Sequence, residues 1–518
     1  MSGSVQPWRC PLPRCPLRSA NALWSGVTLS LFGRLTGAAR FSRRVYDDGR
    51  EVHPSSSPLS AHEMSKPCLH ARLQLEPSAF AAEAGFERCD AKKRLDAARK
   101  TVLKTPTLSY KEELEEEARQ MSATFPGPLV LPWDDLNHDP NYPPHSFKDW
   151  LIAKTRNKPS KQRQTLYVAA VPDIDDCVAF MKEWTIPNLQ STERPAKRLK
   201  VEQAAEALAS PETKHFVEYL TAFYHGLKSK QLSQKLRFVK WEGKGSGTAR
   251  SLPKYVGLAY GDSATRIRVR PSKDGVFAAQ LNLNDLLDAA LEILPKDAYS
   301  IVLLVDHDIY EDEEDDYCCG RAYGGSRIAV VQSARYNPAL DAENKIDRAH
   351  MWPASHCQTY VDALCAEEGV KPNHKGDPIV GDGAIRAAID AAKATETPST
   401  TEDLRGLWFS RLARTVAHEL GHCLGMDHCV YYACSMQGTA GMAEDTRQPP
   451  YLCPVCSSKM SHAMTHELRC AGVTTEHEYK RQRYEALASF CEKWTDVGMF
   501  AGYAAWLKVR LIQLELDN

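Results

Sequence analysis

Two histidines four residues apart, His418 and His422, flank a glutamate at 419, and a third histidine follows at 428. On a helix that separation puts both rings on one face with about 6 Å of rise between them. Two neutral imidazoles so placed can grip one Zn²⁺. Glu419 projects about 100° around the helix from His418, into or beside an apolar stripe. A carboxylate there is costly to bury without a partner. Water on a metal supplies that partner, and the pattern is the helical zinc motif with its glutamate as general base. Gly425 stands where the helix must stop, because glycine accepts the left-handed conformation that turns the chain. The turn returns His428 toward the metal as third ligand. Three protein ligands leave a position for water, the mark of a catalytic site.

A second constellation follows at once. Cys429 and Cys434 lie just past His428, and Cys453-Pro454-Val455-Cys456 supplies a close pair. Four thiolates at this spacing suit a closed tetrahedral zinc site of structural purpose, with disulfides or unpaired core thiols as the alternatives. An iron–sulfur cluster uses other spacings. Cys423 and Cys470 read as packing residues.

These residues need a frame. Trp408, Leu412, Val416 and Cys423 fall in one stripe at 3.6 residues per turn, so the histidine motif begins inside a helix. Thr165–Val171, Ile267–Arg270, Ser300–Val305 and Arg327–Gln332 are predicted strands, rich in β-branched residues. Lys214–Leu227 and Leu281–Leu294 are predicted helices, and the chain from Thr474 onward is predicted helical. A helix is also expected within Ala91–Ser122, broken at Pro106. The acidic run Glu311–Asp316 lacks calcium-ligand spacing and reads as a solvated loop. The strand at Arg327–Gln332 is a candidate edge for an extended peptide to pair with.

Taken together, the motif resembles the archaemetzincins. The positions that carry the resemblance are His418, Glu419, His422, Gly425, His428, Cys429, Cys434, Met436, Cys453 and Cys456, extended by Gln437-Gly438. The resemblance implies an α+β, metzincin-like fold: a twisted mixed sheet, an active-site helix and a smaller C-terminal subdomain holding the four-cysteine site. It implies two zinc ions, one catalytic and one structural, with Met436 as a methionine turn beneath the catalytic one. By sequence alone Met436 is equally a core residue. The peptidase domain is expected over 125–490, with insertions near 186–211 and 337–400. A weakly ordered extension is expected over 1–124, and a C-terminal helix over 491–518.

Composition bounds the rest. At 518 residues the chain has room for more than one domain, and its net charge of -1 gives no electrostatic case for nucleic acid. No apolar run reaches the roughly 18 residues of a membrane span. Sixteen cysteines spread along a long chain, several beside a histidine motif, favour metal binding in a reducing compartment. Met1–Tyr46 holds seven arginines and no acidic residue before Asp47, resembling a mitochondrial presequence; an unstructured tail, or a start at Met64, is the other reading. Pro195–Val201 resembles a nuclear import signal, which points to cytoplasm or nucleus instead.

The expected activity is hydrolysis of a peptide or protein substrate by a zinc-activated water, with Glu419 as base. A gluzincin-type peptidase would take a later glutamate as third ligand, and His428 argues against it. The non-enzymatic alternative is a catalytically silent, zinc-stabilised interaction protein of the same fold.

Overall fold

A computed structural model describes residues 68, 70–100, 121, 123–189, 208–242, 252–371 and 383–516, with the backbone of Arg40–Phe41. Of two compact units, Met1–Gly37 lies outside these residues, and every element named here belongs to the unit Ala38–Asn518. The arginine-rich segment, the basic run at 195–201 and most of the helix expected after Ala98 also lie outside.

The run Ala298–Val305 is apolar at nearly every position because both of its faces are covered. Val302 and Leu304 face one core cluster, while Ile301, Leu303 and Val305 face another. The neighbouring strand Ile328–Gln332 alternates in the same way, Ala329 and Val331 on one side, Ile328 and Val330 on the other. These strands belong to a five-stranded sheet in the order Gly320–Tyr323, Ile328–Gln332, Ala298–Val305, Thr165–Ala169, Lys228–Gln231. Four strands run parallel and Gly320–Tyr323 alone is antiparallel.

The long helix Thr401–Cys423 lies under one face, contributing Val416, Ala417, Leu420 and Cys423 to the first cluster. Tyr299 ties the layers together, its hydroxyl donating to the Cys423 carbonyl at 3.2 Å. Leu283–Glu292 covers the other face with Leu286, Leu287 and Ala290. The second sheet has eight strands, including the meander Leu236–Lys240, Tyr255–Tyr260, Ser263–Arg270. The architecture is mixed α/β.

Several expectations change. Ile328–Gln332 is interior, paired on both sides, so the edge is Gly320–Tyr323. The acidic run is more than a solvated loop: Glu311 pairs with Arg321, and Asp315 is buried, accepting from the Glu311 and Asp312 amides. Ser263–Arg270 begins four residues earlier than predicted, because its early residues, Ser263, Ala264, Thr265 and Arg266, are small or polar and carry no apolar run.

Residues 70–80, read from sequence as weakly ordered, bring Leu73 into the interior; Phe86 is buried as well, and Leu95 is buried on the helix Ala91–Ala97, which lies within the expected helix. Residues 337–357 are likewise anchored. Asp341 accepts two hydrogen bonds from buried Arg411 at 2.7 and 3.0 Å, and the Trp352 amide donates to the Thr446 carbonyl. Helices Ala384–Lys393, Glu476–Cys491 and Gly498–Leu516 complete the first cluster through Ile389, Leu487 and Trp506. No helix among the described residues is long and apolar enough to cross a membrane.

Candidate metal centre

Thr401–Cys423 starts with a capping box, Thr400 and Asp403 satisfying each other's backbone amides. It ends at Gly425, whose φ of 79° is the left-handed turn. The turn is held from outside: Trp150 Nε1 donates to the Leu424 carbonyl at 2.9 Å, and Arg156 stacks on the Trp150 ring. Beyond the turn the chain doubles back, and the structure brings His418, His422 and His428 together with one ring nitrogen of each within 4.8 Å of the others. His418 and His428 are buried and His422 is half-buried.

The hydrogen bonds decide the tautomers. His418 Nδ1 lies 2.7 Å from the Ser435 carbonyl, and His422 Nδ1 lies 2.8 Å from the Met426 carbonyl. A carbonyl can only accept, so both Nδ1 atoms carry the proton and both Nε2 atoms present lone pairs. Those two Nε2 atoms face each other at 3.0 Å, and His428 Nε2 is buried with no hydrogen-bond partner. Burial pushes all three imidazoles toward the neutral form, His428 down to about 3. Three converging lone pairs on neutral rings fit a divalent cation and little else. Tetrahedral zinc with Zn–N of about 2.0–2.1 Å would hold such nitrogens roughly 3.3 Å apart.

Glu419 is 3% exposed. Burial pushes its carboxyl up to about 8, against the pull of Arg321 and Arg414; a cation on the adjacent rings would add to that pull. The Glu311–Arg321 pair and the buried Arg414–Asp445 pair hold those guanidinium groups in place. The edge strand passes directly over this residue, since a Cβ built on Gly320 would lie 3.4 Å from Glu419 Cγ.

Cys429, Cys434, Cys453 and Cys456 are all buried, their sulfurs within 4.8 Å of one another, with Cys429 and Cys453 at 3.5 Å. Two backbone amides, of Met436 and Cys453, point at Cys434 Sγ at 3.5 and 3.3 Å. Sulfur acting as acceptor is the thiolate's role. Hydrogen bonds from its three neighbours hold Cys429 low, while burial pushes Cys434 and Cys453 up. A divalent cation would remove that conflict by neutralising all four. Cys423 is a packing residue, fully buried with its thiol donating to the Ile328 carbonyl; Cys470 is half-buried.

Met436 runs beneath the helix. A Cβ on Gly421 would meet its Sδ at 2.4 Å, so the glycine makes the close approach possible. The sequence reading missed Asp135 and Tyr142. Asp135 crowds the same glycine face as His428: a Cβ on Gly438 would lie 2.2 Å from Asp135 Oδ2 and 2.7 Å from His428 Nδ1. Tyr142 donates to Asp427 Oδ1 at 2.5 Å, and the same oxygen accepts from the His428 amide at 2.9 Å. Asp135 opens the short helix Asp135–His138 and Tyr142 follows it, nearly 300 residues upstream and without a motif to mark them.

A family model for peptidase family M54 matches residues 392–462. Archaemetzincin-2 of Macaca fascicularis is 21% identical over 358 residues, covering 68% of this chain and 74% of that protein. Archaemetzincin-2 of Homo sapiens is 22% identical over 372 residues, covering 71% and 77%. The crystal structure of archaemetzincin from Methanopyrus kandleri covers 60% of this chain and 99% of its own at 15% identity, with a TM-score of 0.28, too low to argue fold correspondence. The M54 family model and these relatives support placing the chain with the archaemetzincins, as a zinc-dependent metallopeptidase.

Proposed function

We propose that this peptidase hydrolyses its substrate at one zinc held by His418, His422 and His428, with Glu419 as general base. The observation that carries the reading is the pair of Nε2 lone pairs facing each other while both Nδ1 protons are spent on carbonyls. A zinc bound there supplies Lewis acidity, polarising a carbonyl and making water acidic. Glu419 takes the proton of the attacking water and returns it to the leaving amine. Burial suits the residue to both tasks, since a carboxyl raised toward neutrality accepts and releases a proton near working pH. Arg321 and Arg414 keep its charged form accessible.

The edge strand Gly320–Tyr323, antiparallel to its neighbour and close over Glu419, supports binding of an extended peptide by strand addition. Met436 under Gly421 serves as the methionine turn of a metzincin-like centre. Cys429, Cys434, Cys453 and Cys456 hold a second, structural zinc, giving two ions in these sites.

The test is mass-spectrometric profiling of a diverse peptide library with zinc-loaded protein beside its Glu419→Gln variant. Wild type should cleave, and the variant should lose about 10²–10⁴-fold or more in rate with its zinc content unchanged. Full activity in zinc-loaded Glu419→Gln would remove the glutamate from this role. Absence of cleavage by wild type, with zinc in place, would return the chain to the silent interaction protein.

A further inference from the structure

Four chemically capable residues lie outside both the histidine and the four-cysteine centres. Cys68 and His70 come from one segment, His350 and Cys357 from another nearly 280 residues later. Neither pair has a motif spacing, yet the fold brings one ligand atom of each within 4.8 Å of all the others.

The geometry suits a coordination shell. Cys68 Sγ and Cys357 Sγ are 3.5 Å apart. A disulfide needs about 2.05 Å, whereas tetrahedral zinc with Zn–S of about 2.3 Å holds two sulfurs roughly 3.8 Å apart. His70 is 5% exposed, and both of its ring nitrogens are buried without a hydrogen-bond partner. Buried polar groups are rarely left in that state. His350 places Nδ1 2.6 Å from the Asp347 carboxylate and leaves Nε2 buried and unpartnered. A carboxylate behind one imidazole nitrogen is the usual way to orient the other toward a metal. The ring is fixed further by stacking on Tyr360 at 4.4 Å.

The scaffold is built as well. Cys357 is the N-cap of Gln358–Glu367, where the helix dipole favours a thiolate. The two segments pair as strands across it: Leu73 bridges Cys357, the Gln74 amide donates to the His356 carbonyl at 2.8 Å, and the Gln358 amide donates to the Arg72 carbonyl at 3.0 Å. Arg386 Nη1 donates to the His70 carbonyl at 2.7 Å.

We propose that Cys68, His70, His350 and Cys357 form a Cys₂His₂ zinc site, separate from the histidine and four-cysteine centres and independent of the proposed hydrolytic mechanism. Two thiolates and two imidazoles fill a tetrahedral shell, so the site is closed and structural. Binding Zn²⁺ releases two thiol protons to solvent and leaves the ion neutralised by two sulfur charges. The site clips Cys68 and residues 70–74 onto the 347–357 turn, which is itself anchored to the body through Trp352.

The test uses full-length protein purified anaerobically with zinc. Zinc content is measured for wild type, His350→Ala and His350→Cys. Alkylation of each cysteine in zinc-loaded wild type is mapped by mass spectrometry, with exposed Cys177 as the unprotected reference. His350→Ala should hold about one zinc per chain fewer than wild type, and His350→Cys, which keeps four soft ligands, should restore it. Cys68 and Cys357 should resist alkylation until a chelator is added. An unchanged zinc count in His350→Ala overturns the site. So does alkylation of Cys68 at the rate of Cys177, or a Cys68–Cys357 disulfide in the zinc-loaded protein. Should His350→Ala fail to fold, the wild-type alkylation pattern decides. Peptidase activity is not the readout, so loss of the clip and loss of the proposed catalytic role are distinguishable.

Discussion

His418 and His422 are ordinary imidazoles until their Nδ1 protons are committed to the Ser435 and Met426 carbonyls; then only Nε2 is left to bind. The same logic extends to residues with no donor atom at all. Gly438 lies between the Asp135 carboxylate and His428 Nδ1, at a distance that leaves no room for a methyl group. Gly438→Ala should therefore displace one of them and weaken zinc binding by about 10–100-fold, the usual cost of disturbing groups behind a metal ligand. Competition against a chelator of known affinity measures this, and unchanged affinity would show that the 435–440 loop yields without moving His428.

At the scale of elements, the segment that carries the cysteines of the four-cysteine site also orients His418. Ser435, whose carbonyl accepts from His418, sits between Cys434 and Met436; the Cys429 amide donates to the Met436 carbonyl at 2.8 Å, and the Ser435 amide to the Tyr451 carbonyl at 2.8 Å. Loss of the cysteine centre should reach the histidine centre through this short path. Cys434→Ser is expected to lower thermal stability and to weaken zinc at the histidines by about tenfold or more. Zinc content, read together with the unfolding temperature, separates this from independence, in which one zinc is lost and the other keeps its affinity.

For the molecule as a whole, stability rests on two apolar clusters facing each other across one five-stranded sheet. His307 lies in the second region, its Nε2 donating to the Met181 carbonyl at 3.1 Å, with the Phe238 and Trp184 rings around it at 5.0 and 6.3 Å. Burial pushes its pKa down to about 4. The folded protein therefore holds it neutral, while the unfolded chain protonates it below about 6.5. Its contribution is fully present above about pH 6.5 and is lost as pH falls toward 4, by about 3 kcal/mol in all. Denaturant unfolding of wild type and His307→Gln at several pH values checks this. The stability difference between them should shrink as pH falls across that window, and a constant difference would mean that His307 does not titrate there.

The sequence determined by itself what is local. His418, Glu419, His422, Gly425 and His428 announce themselves because helical period and a glycine turn bring them together within eleven residues. Ala298–Val305 and Leu283–Glu292 were legible because burial on both faces, or on one, leaves a pattern in consecutive residues. Tertiary structure decided the rest. Leu236–Lys240 went unread because a short, half-exposed strand has little pattern, and Tyr255–Tyr260, though buried, because Gly257 and Ala259 break up its apolar run. The edge position of Gly320–Tyr323 depends on which strand lacks a neighbour. The meeting of Asp135 with His428, of Arg321 with Glu419, and of Cys68 and His70 with His350 and Cys357 joins segments distant in the chain. Such contacts are made by packing, which fixes separations in space that no spacing along the chain encodes.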